Sequence, residues 1–199
     1  DLGQLVDYAC AYRYNQVPLA QPVFDGNELE YVTDCIRTGW ISSQGKYVRE
    51  FEESFGQFVG SSNSLAVSNG TVALHLALVS LGIGLGDEVI VPDLTFAAVV
   101  NAVLYVGATP VLVDIDPNTT AMDMDAAERA ITGRTRAIIP VHLYGHPADM
   151  GRVMALAQQH ELVVVEDCAE ALGSFYKGTH VGALGDVAIF SFFGNKTIT

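Results

Sequence analysis

Lys196 stands just beyond an apolar run, Val187 to Phe193, in the stretch Ser191-Phe192-Phe193-Gly194-Asn195-Lys196-Thr197-Ile198-Thr199. Gly194 can bend the backbone there and Asn195 can reinforce the turn. An amine held beyond a buried strand is a candidate Schiff-base nucleophile, because desolvation disfavours its ammonium form and frees the lone pair. A lysine in a loop is as readily a solvated one, so its chemistry depends on what other residues surround it.

Three further stretches could supply partners. Asp167 follows the run Leu162-Val163-Val164-Val165-Glu166, and a carboxylate leaving a dry strand needs a partner. That partner is a cationic ring nitrogen of the pyridoxal phosphate (PLP) type, or else backbone amides at a helix start. Ser68-Asn69-Gly70-Thr71 joins a strand-like run to a helical pattern; free amides and a hydroxyl at a helix N-terminus bind anions, although the same residues make an ordinary N-cap. Phe96, after Pro92-Asp93-Leu94-Thr95, is either core packing or a stacking surface. An anion cradle, a carboxylate, an aromatic platform and an amine share one fitting ligand, a phosphorylated aromatic aldehyde.

Two other patterns point away from chemistry. Gly82-Ile83-Gly84-Leu85-Gly86 lies after a helix and before a strand, the reverse of a dinucleotide fingerprint, and reads as a connecting turn. His142 and His146 have the spacing of a helical metal pair, but Gly145 and Pro147 break that helix and no cysteine ligands support it. No metal site is expected.

These residues sit within a regular alternation of apolar runs and helix-period segments. Helices are predicted from just after Asp25 to about Gly39 and over 46–59. The first is expected to be capped at Asp25 with Glu28 returning three residues later, and the second to turn Val48, Phe51, Phe55 and Phe58 inward and stop at Gly60. Strands are predicted at 64–67, 88–91, 111–115, 137–141, 162–165 and 186–192, with helices at 71–81, 97–106, 124–131 and 148–160 between them and a turn or hairpin over 174–181. Continuous apolar strands alternating with helices imply an α/β three-layer sandwich around a mostly parallel sheet, whose ligands bind at the carboxyl ends of the strands. Residues 1–16 show weak periodicity and read as a leader or linker of no assigned role; 17–199 form the ligand-binding unit.

Composition bounds the partners. Half the residues are apolar and 17% are charged, as in a compact folded protein. The net charge of −13 argues against nucleic-acid or anionic-membrane partners, so any phosphate must be held locally. Cys10, Cys35 and Cys168 form no even framework, which fits a reducing cytoplasm, and no apolar run reaches the ~18 residues of a membrane span.

At this point the chain resembles the DegT/DnrJ/EryC1/StrS sugar aminotransferases. The resemblance runs from about Pro18 to Thr199 and is carried by Gly39-Trp40-Ile41-Ser42-Ser43, Ser68-Asn69-Gly70-Thr71-Val72-Ala73-Leu74-His75, Gly86-Asp87-Glu88-Val89-Ile90-Val91-Pro92, His142-Leu143-Tyr144-Gly145-His146-Pro147, Glu166-Asp167-Cys168-Ala169-Glu170-Ala171 and the Lys196 segment. It implies the fold-type-I, aspartate-aminotransferase-like large domain without the small C-terminal domain, and PLP as cofactor. Lys196 would hold PLP covalently and then move the donor's α-proton, and Asp167 would pair with the ring nitrogen. Gly70 and Thr71 through their amides and Ser191 through its hydroxyl would hold the phosphate, and Phe96 would stack on the ring. Glu170 stands where the family often has Gln or His, near the cofactor oxygen. The family's homodimers complete each active site with the partner subunit, so residues 1–199 alone are expected not to transaminate.

Within the family, Trp40-Ile41-Ser42-Ser43-Gln44-Gly45-Lys46-Tyr47-Val48 and the Asp167 and Lys196 segments are similar to the subgroup that aminates C4 of GDP-4-keto-6-deoxy-mannose to GDP-perosamine with glutamate as donor, an activity of O-antigen biosynthesis. The alternatives are an aminotransferase for a UDP- or dTDP-keto sugar and a non-catalytic regulator or binding module on the same fold. Lys196 favours an enzyme over a binding module. It also separates the chain from the family's sugar dehydratases, which carry histidine there.

Overall fold

The structure, a computed structural model, describes residues 20–198. The expected leader at 1–16 lies outside the described residues, as do residues 17–19 and Thr199.

Helix α1 (Glu28–Thr38) begins two residues later than a cap at Asp25 would place it. Asn27, not Asp25, occupies the N-cap and makes no side-chain bond there. Glu28 still reaches back, but as the first helical residue, with Oε2 accepting the Gly26 amide at 3.0 Å. Two residues separate donor and acceptor, which the short Gly26-Asn27 turn closes without help from Asp25. Leu29, Val32 and Ile36 share one helical face and all three are exposed.

Helix α2 (Lys46–Val59) ends at Gly60, whose φ of 84° is the left-handed geometry expected of a terminating glycine. Phe55 packs edge-on against Phe190 and Phe192 at 4.9 and 5.5 Å, and Phe51 meets Phe192 at 5.1 Å. Phe58, predicted inward, is exposed, with its ring 5.4 Å from the His180 imidazole, and Phe51, also predicted inward, remains partly exposed.

The remaining helices are α3 (Gly70–Ser80), α4 (Ala98–Tyr105), α5 (Met124–Ala130) and α6 (Met150–His160). The strands are β1 (Glu88–Pro92), β2 (Thr109–Val113), β3 (Thr135–Ile138), β4 (Val163–Asp167) and β7 (Val187–Ile189), with a short hairpin, β5 (Phe175–Tyr176) and β6 (Thr179–His180), before the last. The five main strands form one sheet in the order β2-β1-β3-β4-β7, parallel throughout. Side chains alternate across it. Val89 and Val91 face Leu74, Leu78, Val99 and Val103 of α3 and α4. Ile90, Ile138 and Val164 face Met124, Ala127, Met150 and Val153 of α5 and α6. Helix, sheet and helix are thus the three layers that the alternating pattern implies.

The predicted 111–115 strand is shifted to Thr109–Val113 and the predicted 186–192 strand is cut to Val187–Ile189. Two further strand predictions change for physical reasons. The 137–141 run forms a continuous strand only over Thr135–Ile138; Pro140 has no amide to donate, but its carbonyl accepts the Asp167 amide at 2.9 Å and Val141 resumes the pairing as a parallel bridge to Asp167. Residues 64–67 form no strand. They lie across a groove of about 950 Å³ from β7, lined by both segments, and a ladder requires a neighbour at about 4.8 Å. Glu52 of α2 takes their polar groups instead: its carbonyl accepts from Ser64 Oγ and its carboxylate from the Ala66 amide. The hairpin forms as predicted, turning at Lys177 and Gly178, both at positive φ. Among the described residues no helix is long and apolar enough to cross a membrane.

Strand order reverses at β1: β2 lies on one side of it and β3, β4 and β7 on the other. In open parallel sheets, ligands bind at the carboxyl ends of the strands beside such a switch point. Phe96 follows β1, His142 and Tyr144 follow β3, Asp167 closes β4, and Ser191 and Lys196 follow β7.

Candidate active site

The loop after β7 closes with the Lys196 amide donating to the Phe193 carbonyl at 2.8 Å, which turns the lysine back toward the sheet. Its side chain is only 14% exposed, and Nζ lies 3.0 Å from Glu170 Oε1. The partner of the amine is therefore a carboxylate 26 residues away, rather than apolar surroundings alone. Burial by itself would raise the Glu170 carboxyl, but the Lys196 ammonium and the Tyr144 amide, which donates to Oε2 at 3.1 Å, hold it below its ordinary range. Lys196 Nζ also stands 5.9 Å over the Phe96 ring centroid. That ring is 72% exposed, so Phe96 is not core packing.

Asp167 ends β4 and is 5% exposed. Burial pushes its carboxyl up from the usual range, partly opposed by the Ala169 amide, which donates to Oδ1 at 2.9 Å. Oδ2 takes no hydrogen bond among the described residues. A buried carboxylate with one satisfied oxygen and one free is poised for a cationic partner.

Gly70 and Thr71 form the first turn of α3. Asn69 caps it by accepting the Val72 amide at 2.9 Å, which leaves the Gly70 and Thr71 amides without partners among the described residues. The N-cap and anion-cradle readings are therefore compatible, because the cap uses a different amide. A Cβ on Gly70 would lie 3.4 Å from Ser191 Cβ and 3.6 Å from its Oγ, so the glycine keeps open the space between the α3 N-terminus and the serine hydroxyl. The fold thus brings Gly70 and Thr71 to Ser191, and Phe96 and Glu170 to Lys196, with Asp167 at the end of the strand beside β7.

Beside these lies a network that the sequence reading missed. Glu166, fully buried one residue before Asp167, accepts from the Gly182, Leu184 and Gly185 amides at 2.9, 2.9 and 2.7 Å and pairs with His142 Nε2 at 3.1 Å. His142 Nδ1 accepts the Ala148 amide at 3.0 Å, so Nε2 carries the ring proton and donates it. His142, Glu166 and Cys168 offer their ligand atoms within 4.8 Å of one another. Both ring nitrogens and both carboxylate oxygens are already engaged, so the group acts as a hydrogen-bonded staple joining β3, β4 and the turn before β7. His146 is exposed and stands apart from it. The sequence signal was available as a charged residue inside a wholly apolar strand.

Burial alone would raise the Glu166 carboxyl, yet His142 and the three amides hold it below the usual range. Glu166→Gln, which cannot accept all these donors, is expected to lower the unfolding free energy by about 2–3 kcal/mol. Urea denaturation should show this difference in full above the ordinary carboxyl range. It should shrink as pH falls through the depressed native value, where the wild-type carboxylate is itself protonated.

The sequence profile of the DegT/DnrJ/EryC1/StrS aminotransferase family matches residues 22–199. Two curated relatives, GDP-perosamine synthases of Caulobacter vibrioides and Escherichia coli O157:H7, are 54% and 55% identical over 92% of this chain. The chain spans about half of their length, 50% in each case. Among solved structures, the PLP form of a sugar aminotransferase from Streptococcus pneumoniae superposes with a TM-score of 0.89 at 37% identity, over 94% of this chain and 51% of the other. With this profile match over most of its length, and with an α/β parallel-sheet fold shared with solved aminotransferases, the chain belongs to the DegT/DnrJ/EryC1/StrS aminotransferase family.

Proposed function

We propose that the protein carrying this chain transfers the amino group of glutamate to C4 of GDP-4-keto-6-deoxy-mannose, forming GDP-perosamine with PLP as cofactor. The juxtaposition of Lys196 with Glu170 and Phe96, at strand ends beside Asp167, carries the chemistry. The 54–55% identity to GDP-perosamine synthases supports the choice of acceptor.

The residues fit the cofactor on grounds of their own. Two unused amides and a hydroxyl suit a phosphate, the free Asp167 Oδ2 suits a protonated ring nitrogen, and an exposed ring beside the amine suits a planar ligand. When bound, PLP supplies a carbonyl that condenses with amines and a ring that takes up negative charge from the adjacent carbon. The chain's residues then divide the work. Gly70, Thr71 and Ser191 would hold the phosphate. Phe96 would orient the ring, and Asp167 would keep its nitrogen protonated. Lys196 Nζ would hold the cofactor and, once displaced by the donor, move the proton at the donor's α-carbon and later at the acceptor's C4. Glu170, paired with Nζ, would set the position of that amine.

The proposal extends to residues 17–199 as the cofactor-binding domain, to a homodimer and to a cytoplasmic setting. The exposed Leu29, Val32 and Ile36 favour a further covering surface, and the free thiols of Cys35 and Cys168 fit a reducing compartment. The test incubates the full-length protein with PLP, glutamate and a panel of GDP-, UDP- and dTDP-4-keto-6-deoxy sugars. A kcat/KM advantage of roughly a hundredfold for the GDP acceptor is expected. Preference for a UDP or dTDP acceptor would overturn the substrate and spare the reaction; inertness toward the whole panel with PLP bound would favour a binding module.

A further inference from the structure

The backbone at the strand ends is strained at one residue that the roles above do not use. Tyr144 adopts φ 52° and ψ 28° within the 3-10 turn Leu143–Gly145 after β3, a left-handed conformation in which a Cβ crowds the following carbonyl. Gly145 beside it also has positive φ, but as glycine at no such cost. The strain is held from two sides: Glu170 Oε2 accepts the Tyr144 amide at 3.1 Å, and the Gly145 carbonyl accepts Ser174 Oγ at 2.8 Å. The result is a large aromatic side chain left 83% exposed. Burial in the core does not explain it, and strained residues that a fold over-determines cluster at ligand sites.

Its position is equally specific. Glu170 holds the Tyr144 amide with one oxygen and the Lys196 amine with the other, so the turn and the amine share a single carboxylate. In a nucleotide sugar the base is separated from the sugar by a ribose and a diphosphate. With the reacting carbon at Lys196, a residue whose backbone amide shares Glu170 with that amine stands on the sugar side of the ligand, away from the base.

We propose that Tyr144 is a specificity-determining residue whose ring packs against the apolar face of the acceptor's pyranose. This rests on the aminotransferase reading above. Glu170 thereby acts as a positioning residue for the turn as well as for the amine.

The experiment compares Tyr144→Ala, Tyr144→Gly and Tyr144→Phe in the full-length protein. Tyr144→Ala is expected to raise KM for GDP-4-keto-6-deoxy-mannose roughly tenfold, and Tyr144→Phe to stay within about twofold of wild type because the ring remains. The inhibition constant of GDP, which lacks the sugar, the half-reaction with glutamate and the cofactor absorbance should all be unchanged. Tyr144→Gly should share the KM rise while melting about 3 °C above Tyr144→Ala, since only glycine relieves the left-handed strain. An equal rise in the GDP constant would overturn the assignment by placing the ring on the nucleotide, and a slowed glutamate half-reaction would do so by placing it on the donor. An unchanged acceptor KM with a fall in Tm or in dimer content would show that the ring packs against protein. Should the wild type transaminate no sugar at all, the aminotransferase reading fails, an outcome distinct from each of these.

Discussion

Lys196→Ala in the full-length protein is expected to abolish the absorbance band of lysine-bound PLP and to lower kcat by about 10²–10⁴-fold, the range for losing a positioned proton-transfer group. Stability should change little. The pair that the substitution removes, Lys196 Nζ to Glu170 Oε1 at 3.0 Å, is partly exposed on both sides, and such pairs contribute about 1 kcal/mol or less. Lys196→Arg sharpens the test. It keeps a cation opposite Glu170, so the fold is preserved, but its guanidinium stays protonated and cannot condense with a carbonyl. Wild-type absorbance in either variant, or kcat within tenfold of wild type, would show that the amine is not the nucleophile.

Asp167→Asn separates activity from stability with opposite signs. The carboxylate is 5% exposed and its proton affinity is raised, first by burial. Asparagine keeps an oxygen for the Ala169 amide but cannot hold a charge. Loss of the ring-nitrogen partner is expected to lower kcat on the order of a hundred- to a thousandfold, the cost of removing one preorganised electrostatic contact. The cofactor-free protein should gain stability at neutral pH, because a desolvated negative charge has been removed. The pH dependence fixes the sign. A carboxyl whose native proton affinity is raised contributes stability below its unfolded range and loses it as pH rises through the native value. Thermal melts of cofactor-free wild type should therefore lose stability on the alkaline side of that window, whereas Asp167→Asn should not. Equal pH profiles for the two proteins would remove Asp167 as a buried titrating group.

The alternation of strands and helices, the parallel sheet and the placing of Asp167, Phe96, Ser191 and Lys196 at strand ends were legible because each depends on local pattern. A strand buried on both faces is mostly apolar, and polar residues concentrate at its ends and in the loop that follows. The Lys177-Gly178 turn and the Gly60 helix stop were legible for the same reason, since both are short-range backbone requirements. Where the local pattern misled, a distant group had intervened. The 64–67 segment has strand composition, but pairing depends on what lies beside it, and a groove separates it from β7. The N-cap falls at Asn27 rather than Asp25, where the Gly26 amide donates to Glu28 Oε2.

The residue types able to hold a phosphorylated aromatic aldehyde, and the family to which the chain belongs, follow from the order of amino acids alone. Tertiary structure decided which groups share a hydrogen bond. Glu170 meets Lys196 and Tyr144 across 26 residues in each case, and Glu166 gathers His142 and the turn at 182–185 from strands and loops that are remote in the chain. A carboxylate's partners depend on through-space distances of about 3 Å, and a strained φ at Tyr144 depends on what clamps both sides of the turn. Neither has a period or a local signature, so both emerge only once β3, β4 and β7 lie side by side.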